Sequence, residues 1–151
     1  MDGLSKKGNE NERPNVVVAN AVMNACAYTT GDVPERNRAM EIAHKVLKYL
    51  EADESVKPDQ VTYGTFLQVC HNQMPVCSTR DQIVEMIFQK CYRDGQVGNL
   101  VLQQLKQTIS WQQYYDLIGI DPESVHGMED LPEDWWCNVV EGNKWNRRRN
   151  S

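Results

Sequence analysis

Residues able to do chemistry are present in this sequence, but their spacing fits neither catalysis nor metal binding. Glu41 and His44 are one helical turn apart, and His71 follows Cys70, yet neither pair has a second pair of ligands at a zinc-site spacing. No Gly-rich phosphate loop, nucleophile elbow or His-Glu-x-x-His helix occurs. The sequence therefore predicts a protein that is not an enzyme and that uses no metal, cofactor or small-molecule substrate.

The cysteines are better explained by burial than by reactivity. They are Cys26, Cys70, Cys77, Cys91 and Cys137. An odd number without zinc-knuckle spacing is typical of small buried thiols in a reducing compartment. We therefore expect all five to be reduced.

Composition and charge limit the partners. The chain has 151 residues, of which 40% are hydrophobic, and it carries a net charge of −5. No apolar run approaches the roughly 18 residues that a membrane span needs. The acidic balance argues against a nucleic-acid partner, because Lys and Arg dominate phosphate binding. Arg147, Arg148 and Arg149 form a basic exception at the end of the chain.

Two helix starts of one kind stand 44 positions apart. Lys57-Pro58-Asp59 precedes an apolar helical pattern, and Arg13-Pro14-Asn15 precedes a similar one. Proline excludes the residue before it from the α conformation, and Asp or Asn caps the helix that follows. The aligned residues are Val17 with Val61, Met23 with Leu67, and Cys26 with Cys70. Self-similarity at such a spacing indicates stacked helical repeats.

The pattern predicts two antiparallel helix pairs, 16–28 with 36–53 and 60–73 with 79–94. Ser78 or Thr79 is expected to cap the fourth helix, and Gly95 to end it. Gly98-Asn99-Leu100 starts a third, incomplete pair. Trp111, Tyr114 and Tyr115 belong to a cluster of large side chains expected to close the end of the stack, and Trp135-Trp136 is expected to pack back onto it.

These elements predict an all-α fold: an α-α superhelix of about two to three antiparallel helix pairs with an irregular C-terminal extension. Residues 1–15 are the end of a preceding repeat or disordered, 16–59 the first repeat and 60–99 the second. Residues 100–120 form a partial capping repeat, and 121–151 an irregular tail with a basic C terminus. A four-helix bundle without repeat geometry is the alternative.

The stretch Gln60-Val61-Thr62-Tyr63-Gly64-Thr65-Phe66-Leu67, after its Lys-Pro-Asp turn, resembles the helix start of the pentatricopeptide repeat (PPR). The resemblance covers about residues 1 to 110, although the repeats here are longer than the family's. It implies a C-terminal fragment of a longer PPR protein. It also implies a role in organellar RNA metabolism, in a mitochondrion or plastid. The chain itself has no targeting peptide, so the cytoplasm is the other expectation.

In that family each repeat reads one base of single-stranded RNA. The resemblance implies base reading by Asn20 with Asp59 in the first repeat and by Gly64 with Asn99 in the second, and base sandwiching by Val17 and Val61. An amide with a carboxylate looks like the family's uracil preference, whereas Gly64 has no side chain for reading. Arg147 to Arg149 are the candidates for electrostatic contact with the RNA backbone.

A protein–protein interaction scaffold built from similar helical repeats is the alternative function, and the acidic balance favours it. Asp59 and Asn99 also have a purely structural interpretation as helix caps, and Asn20 as a solvent-facing polar residue. The charge on the groove formed by the first helices discriminates the functions. A basic groove favours RNA, and an acidic or apolar one favours protein.

Overall fold

The fold comes from a computed structural model that describes residues 8–53 and 57–139, with side chains from residue 16 onward. Within these ranges the chain is helical and has no strand, so the all-α prediction is confirmed. The helices are α1 Gly8–Ala27, α2 Val33–Ala52, α3 Gln60–Gln73, α4 Ser78–Arg93, α5 Asn99–Thr108, α6 Trp111–Ile118 and α7 Glu133–Trp136. Two short 3-10 turns, Pro122–Ser124 and Met128–Asp130, lie between α6 and α7. None of these helices is long and apolar enough to cross a membrane.

The start of α1 corrects the prediction for the first repeat. We expected a helix start after Pro14 with Asn15 as its cap, but α1 begins at Gly8, so both residues lie within it. Residues 8–15 therefore belong to the first helix rather than to a preceding element. Proline lacks an amide hydrogen, so α1 loses one backbone hydrogen bond there. Of the two Pro-Asx motifs, only the one at Asp59 is a helix start.

The starts of α2 and α3 are fixed by capping boxes. The amide of Thr62 donates to Oδ1 of Asp59 at 2.9 Å, and the Asp59 amide donates to Oγ1 of Thr62 at 3.2 Å. The predicted cap at Asp59 is thus confirmed. At α2, Asp32 and Glu35 form the same reciprocal arrangement, so this helix begins at Val33, earlier than the predicted residue 36.

The predicted cap at the start of α4 is wrong, whereas the predicted glycine at its end is confirmed. Neither Ser78 nor Thr79 is the cap, because Cys77 holds that position and makes no side-chain cap bond. At the other end Gly95 has φ +70°, and the amide of Gln96 donates to the Cys91 carbonyl at 3.0 Å. This is the left-handed glycine termination that the sequence predicted.

The first helices of the three pairs, α1, α3 and α5, pack in a row, each against the next, and we call them the first-helix row. The predicted adjacency of α1 and α3 is confirmed. The second helix α2 packs on both α1 and α3, and α4 packs on α3. Central in this arrangement, α3 buries most of its side chains, with Tyr63, Phe66 and Leu67 at its core.

The segment after α6 closes one end of the helix stack. Val125, Met128 and Leu131 are buried in the main core. The ring of Trp135 stacks on Tyr92 with centroids 4.8 Å apart, so the predicted packing of this tryptophan is confirmed. Trp136 is half-buried, and its indole nitrogen donates to the Leu131 carbonyl at 3.2 Å.

The aromatic residues of α6 were predicted to close the end of the helix stack, and this prediction holds only in part. Tyr114 is buried, but Trp111 is 54% exposed and Tyr115 is 43% exposed. The two exposed rings stack on each other with centroids 5.8 Å apart. The irregular segment, rather than this aromatic pair, therefore closes the end of the stack.

All five cysteines are free thiols in the structure. Cys26, Cys70 and Cys91 are buried, whereas Cys77 and Cys137 are exposed, so burial as small apolar side chains applies to three of the five.

Candidate functional site

The structure brings together Asn20 and Asp59, the predicted base-reading pair of the first repeat. Nδ2 of Asn20 lies 3.4 Å from Oδ1 of Asp59. The hydroxyl of Thr62 donates to Oδ1 of Asn20 at 2.6 Å and lies 3.0 Å from Oδ1 of Asp59. Asn20 and Asp59 are partly buried and Thr62 is fully buried. These three side chains connect the middle of α1 to the first turn of α3, and we call them the Asn20 cluster.

The two predicted base-sandwiching valines lie close in sequence to the residues of this cluster and are exposed to solvent. Val17 is 62% exposed and Val61 is 40% exposed. Val17 precedes Asn20 by about one helical turn, so both lie on one side of α1. A flat apolar ligand near the cluster would therefore meet aliphatic side chains from two successive first helices.

The predicted pair of the second repeat is not a matching site. Gly64 is buried in the contact between α3 and α5, where an added Cβ would lie 2.9 Å from Cγ of Leu100. Asn99 is not the cap of α5, because Gly98 holds that position. Instead, Oδ1 of Asn99 accepts a hydrogen bond from the Met128 amide at 2.9 Å and so holds the closing segment.

From residue 16 onward, the first-helix row is nearly free of charge. Residues 16–27 and the whole of α3 contain no Lys, Arg, Asp or Glu, and α5 contains only Lys106. The ammonium group of Lys106 donates to the Val125 carbonyl at 3.1 Å. The row is thus neither basic nor acidic, and it offers amide groups and valines instead. The basic candidates Arg147, Arg148 and Arg149 lie outside the described residues.

Sequence reasoning missed two buried polar side chains that bind helix C-terminal carbonyls. Gln73 Nε2 donates to the carbonyls of Cys26 and Thr29, each at 2.9 Å, at the end of α1. The guanidinium of Arg80 donates to the carbonyls of Met74 and Thr108, where α3 and α5 end. Unpaired carbonyls at a helix end attract donors, and a cation there also complements the helix dipole. The bonds of Gln73 to Cys26 and Thr29, and that of Arg80 to Thr108, carry no sequence signal because their partners are distant in the chain.

Burial favours the neutral form of three thiols and one tyrosine in the core. Burial raises the pKa of Cys70 to about 12 and raises the pKa of Cys91 and of Cys26 as well. Burial, together with a 2.6 Å hydrogen bond to Asp94, raises the pKa of Tyr63. A nucleophilic cysteine needs a lowered pKa, so these buried thiols are structural. Within the described ranges no group of three His, Cys, Asp or Glu side chains is arranged to hold a metal ion.

Two apolar grooves run along the second helices. One, of about 330 Å³, lies between α2 and α4 and is lined by residues that include Met40, Phe66 and Met86. The other, of about 380 Å³, lies on the outer side of α1 and α2 and is lined by Val18, Ala19, Ile42, Lys45, Val46 and Tyr49. Both can accept aliphatic side chains.

Comparisons with protein-family profiles, with curated proteins and with solved structures found no match to this chain.

Proposed function

We propose that this chain is a PPR-like helical-repeat module that binds single-stranded RNA along its first-helix row. In this proposal the helix pairs form a short right-handed superhelix. The observation that carries the proposal is the contact between Asn20 and Asp59. These are the residues that the PPR resemblance pairs for reading one base, and they meet although 39 positions separate them.

The chemistry of the Asn20 cluster suits a pyrimidine edge. The hydrogen bonds within the cluster use one N–H donor and Oδ1 of the Asn20 amide, together with Oδ1 of Asp59. An amide nitrogen has two hydrogens and a carboxylate has two oxygens. A uracil edge, with donor and acceptor side by side, can therefore be bound while the cluster stays intact. Val17 and Val61 would contact the faces of that base.

Electrostatics makes the proposed binding weak. Phosphate contacts dominate affinity for nucleic acids, and the first-helix row supplies only Arg13 and Lys106 as cations. Under this proposal, the base preference comes from the Asn20 cluster. The salt-dependent part of the affinity comes from Arg147 to Arg149, because phosphate contacts position a nucleic acid and base contacts specify it.

The test is a fluorescence titration of labelled oligo-U and oligo-A at low and moderate salt. The proteins are the unmodified chain, Asn20→Ala, Asn24→Ala and a truncation that removes Arg147 to Arg149. Asn24 is an exposed amide one turn further along α1 and serves as the matched control. We expect the unmodified chain and Asn24→Ala to prefer oligo-U about tenfold, which corresponds to about 1.4 kcal/mol. Asn20→Ala should lose the preference and keep most of the salt-dependent binding.

Equal affinity of the unmodified chain for both oligomers, together with loss of binding on truncation, would overturn the proposal. Circular dichroism of each variant shows whether Asn20→Ala has kept its helices, so a folding defect is recognised before the titration is interpreted.

The second candidate function is a protein-interaction scaffold. The near absence of charge on the first-helix row favours it, as does the apolar groove between α2 and α4, where Met86 is 47% exposed. Methionine is common at surfaces that bind varied apolar partners. Selection from a displayed peptide library, with Met86→Asp as the counter-selecting variant, tests this function. Peptides that bind both proteins equally would contradict it.

A further inference from the structure

The outer side of α1 and α2 is an apolar surface that the described residues leave open. Val18 is 59% exposed, Val22 is 40% exposed and Tyr49 is 55% exposed. Val18 and Tyr49, with Ile42 and Val46, border the groove of about 380 Å³ described above, which we call the open groove. When α1 is aligned with α3 and α2 with α4, the residues of the open groove match residues of α3 and α4 that face the α1–α2 pair.

Alignment of the ends of α2 and α4 shows this correspondence. Asp53 follows α2 as Asp94 follows α4, 41 positions later. The aligned residues are Ile42 with Ile83, Lys45 with Met86, Val46 with Ile87 and Tyr49 with Lys90. Those four residues of α4 form one wall of the groove of about 330 Å³ between α2 and α4, which we call the internal groove. Its other wall includes Met40, Glu41 and His44 of α2. The open groove therefore has a first wall at the aligned positions, and the described residues give it no second wall.

The first helices show the same relationship. In the 44-residue register Val18 aligns with Thr62 and Val22 with Phe66. Thr62 is fully buried and Phe66 is 1% exposed in the row of helices, whereas the two valines are open. An aliphatic residue at a position that is buried one pair later indicates a packing surface rather than a solvated one.

A second copy of this chain does not offer the missing wall. The surface that follows the last helix pair is closed by the segment that buries Val125, Met128 and Leu131. Head-to-tail stacking of copies is therefore blocked, and the occupant must bring its own helix pair.

We propose that the open groove docks an antiparallel pair of amphipathic helices built like α1 and α2. The second helix of that pair presents aliphatic or thioether side chains together with a carboxylate. In the internal groove Glu41 and Met86 line opposite walls, so a carboxylate at the position of Glu41 would face Lys45 in the open groove. This proposal rests on packing and charge, and it does not depend on RNA binding.

The test extends the chain by its own helix pair. Residues 1–57 are fused directly to residues 14–151, which preserves the 44-residue register and places a second α1–α2 pair in front of the open groove. In the copy that carries this groove, α1 lacks residues 8–13 and starts after Lys57, as α3 does in the unmodified chain. We expect the extended chain to melt at least about 4 °C above the parent, because a further interface is buried. Circular dichroism follows both melts.

Val18→Asp tests whether the rise in melting temperature comes from the open groove. In the extended chain this change is made in the copy of α1 that faces the added helix pair. It should lower the melting temperature of the parent by less than about 3 °C and that of the extended chain by more than about 6 °C. Val76 is 81% exposed in the turn before α4, and Val76→Asp should change both chains equally. An extended chain that melts at or below the parent, or equal effects of Val18→Asp on both, would overturn the proposal. So would a parent that dimerises in sedimentation velocity and becomes monomeric as Tyr49→Asp.

Discussion

Nδ2 of Asn20 in α1 lies 3.4 Å from Oδ1 of Asp59, the residue that caps α3. The hydroxyl of Thr62 connects to both side chains and closes the cluster. A single amide thus ties the middle of one first helix to the start of the next. The same residues are the proposed base-reading site, so variants in the cluster must be measured for stability as well as for RNA binding.

Thr62→Val tests the structural role of the Asn20 cluster. It removes the donor to Asn20 and the acceptor of the Asp59 amide, while the valine keeps the shape of the side chain. We expect the free energy of unfolding to fall by about 1–3 kcal/mol, because buried polar groups lose their partners. Urea unfolding measures the change, and Thr79→Val, at an exposed threonine in the first turn of α4, is the matched control.

The double variant Asn20→Ala with Thr62→Val should cost less than the two single variants added together. Residues joined by hydrogen bonds show coupling of about 0.5–3 kcal/mol in such cycles. Additive costs would mean that the 2.6 Å contact between the Thr62 hydroxyl and Asn20 does not contribute to stability.

Arg80 is expected to be among the most sensitive positions of the fold. It is 5% exposed, and its guanidinium donates to carbonyls at the ends of α3 and α5. Arg80→Met should lower the free energy of unfolding by about 2–3 kcal/mol, since hydrogen bonds from a charged donor are lost and the carbonyls stay buried. Arg93→Met, at an exposed arginine in the last turn of α4, should change it by less than about 0.5 kcal/mol. A similar small effect at Arg80 would contradict this role.

How far the sequence predicts the fold depends on how local each signal is. The cap at Asp59 and the glycine at Gly95 were predicted because a helix end is decided by residues within one turn. The predicted start of α1 was wrong, because Pro14 is tolerated inside a longer helix with the loss of one backbone hydrogen bond. The bond of Arg80 to the Thr108 carbonyl joins residues 28 positions apart, so no local pattern predicts it.

The residues of the candidate site came only from a family resemblance. Asn20 and Asp59 were expected to read a base together; their side chains lie 3.4 Å apart, and the base reading stays a prediction. The pair of Gly64 and Asn99 was proposed on the same resemblance, but packing against Leu100 and a bond to the Met128 amide occupy these residues. Repeat register predicts equivalent positions, whereas neighbours that differ between repeats decide what each position does.

Gly64→Ala tests the close approach of α3 and α5. The new methyl group would lie 2.9 Å from Cγ and 3.1 Å from Cδ2 of Leu100. Overpacking of this kind costs about 1–3 kcal/mol, which should outweigh the gain of up to about 1 kcal/mol in helix propensity. We expect a net loss of stability in urea unfolding. The double variant Gly64→Ala with Leu100→Ala should be more stable than the sum of the single changes implies, and strict additivity would contradict the contact.

High pH is expected to destabilise the fold because buried groups of α3 resist ionisation. Burial raises the pKa of Cys70 to about 12, whereas an unfolded thiol has a pKa of about 8.5. The pKa of Tyr63 is also raised, by burial and by its bond to Asp94. Above about pH 8.5 the folded state therefore binds more protons than the unfolded state, and the free energy of unfolding falls as pH rises. Below that pH both states keep these protons, so this contribution is complete and constant.

Cys70→Ala isolates the share of one thiol in this pH dependence. A single group that is ionised only when unfolded contributes a slope of about 1.4 kcal/mol per pH unit. Urea unfolding between pH 8 and 10.5 should therefore give Cys70→Ala a shallower fall than the unmodified protein, by about that slope at the upper end. The cavity left by the substitution lowers stability at every pH but leaves the slope unaffected. Cys77→Ala, at an exposed thiol, should keep the original slope. Equal slopes in all three proteins would mean that Cys70 ionises as readily in the folded state as in the unfolded one. The burial of Cys70 in α3 would then be wrong.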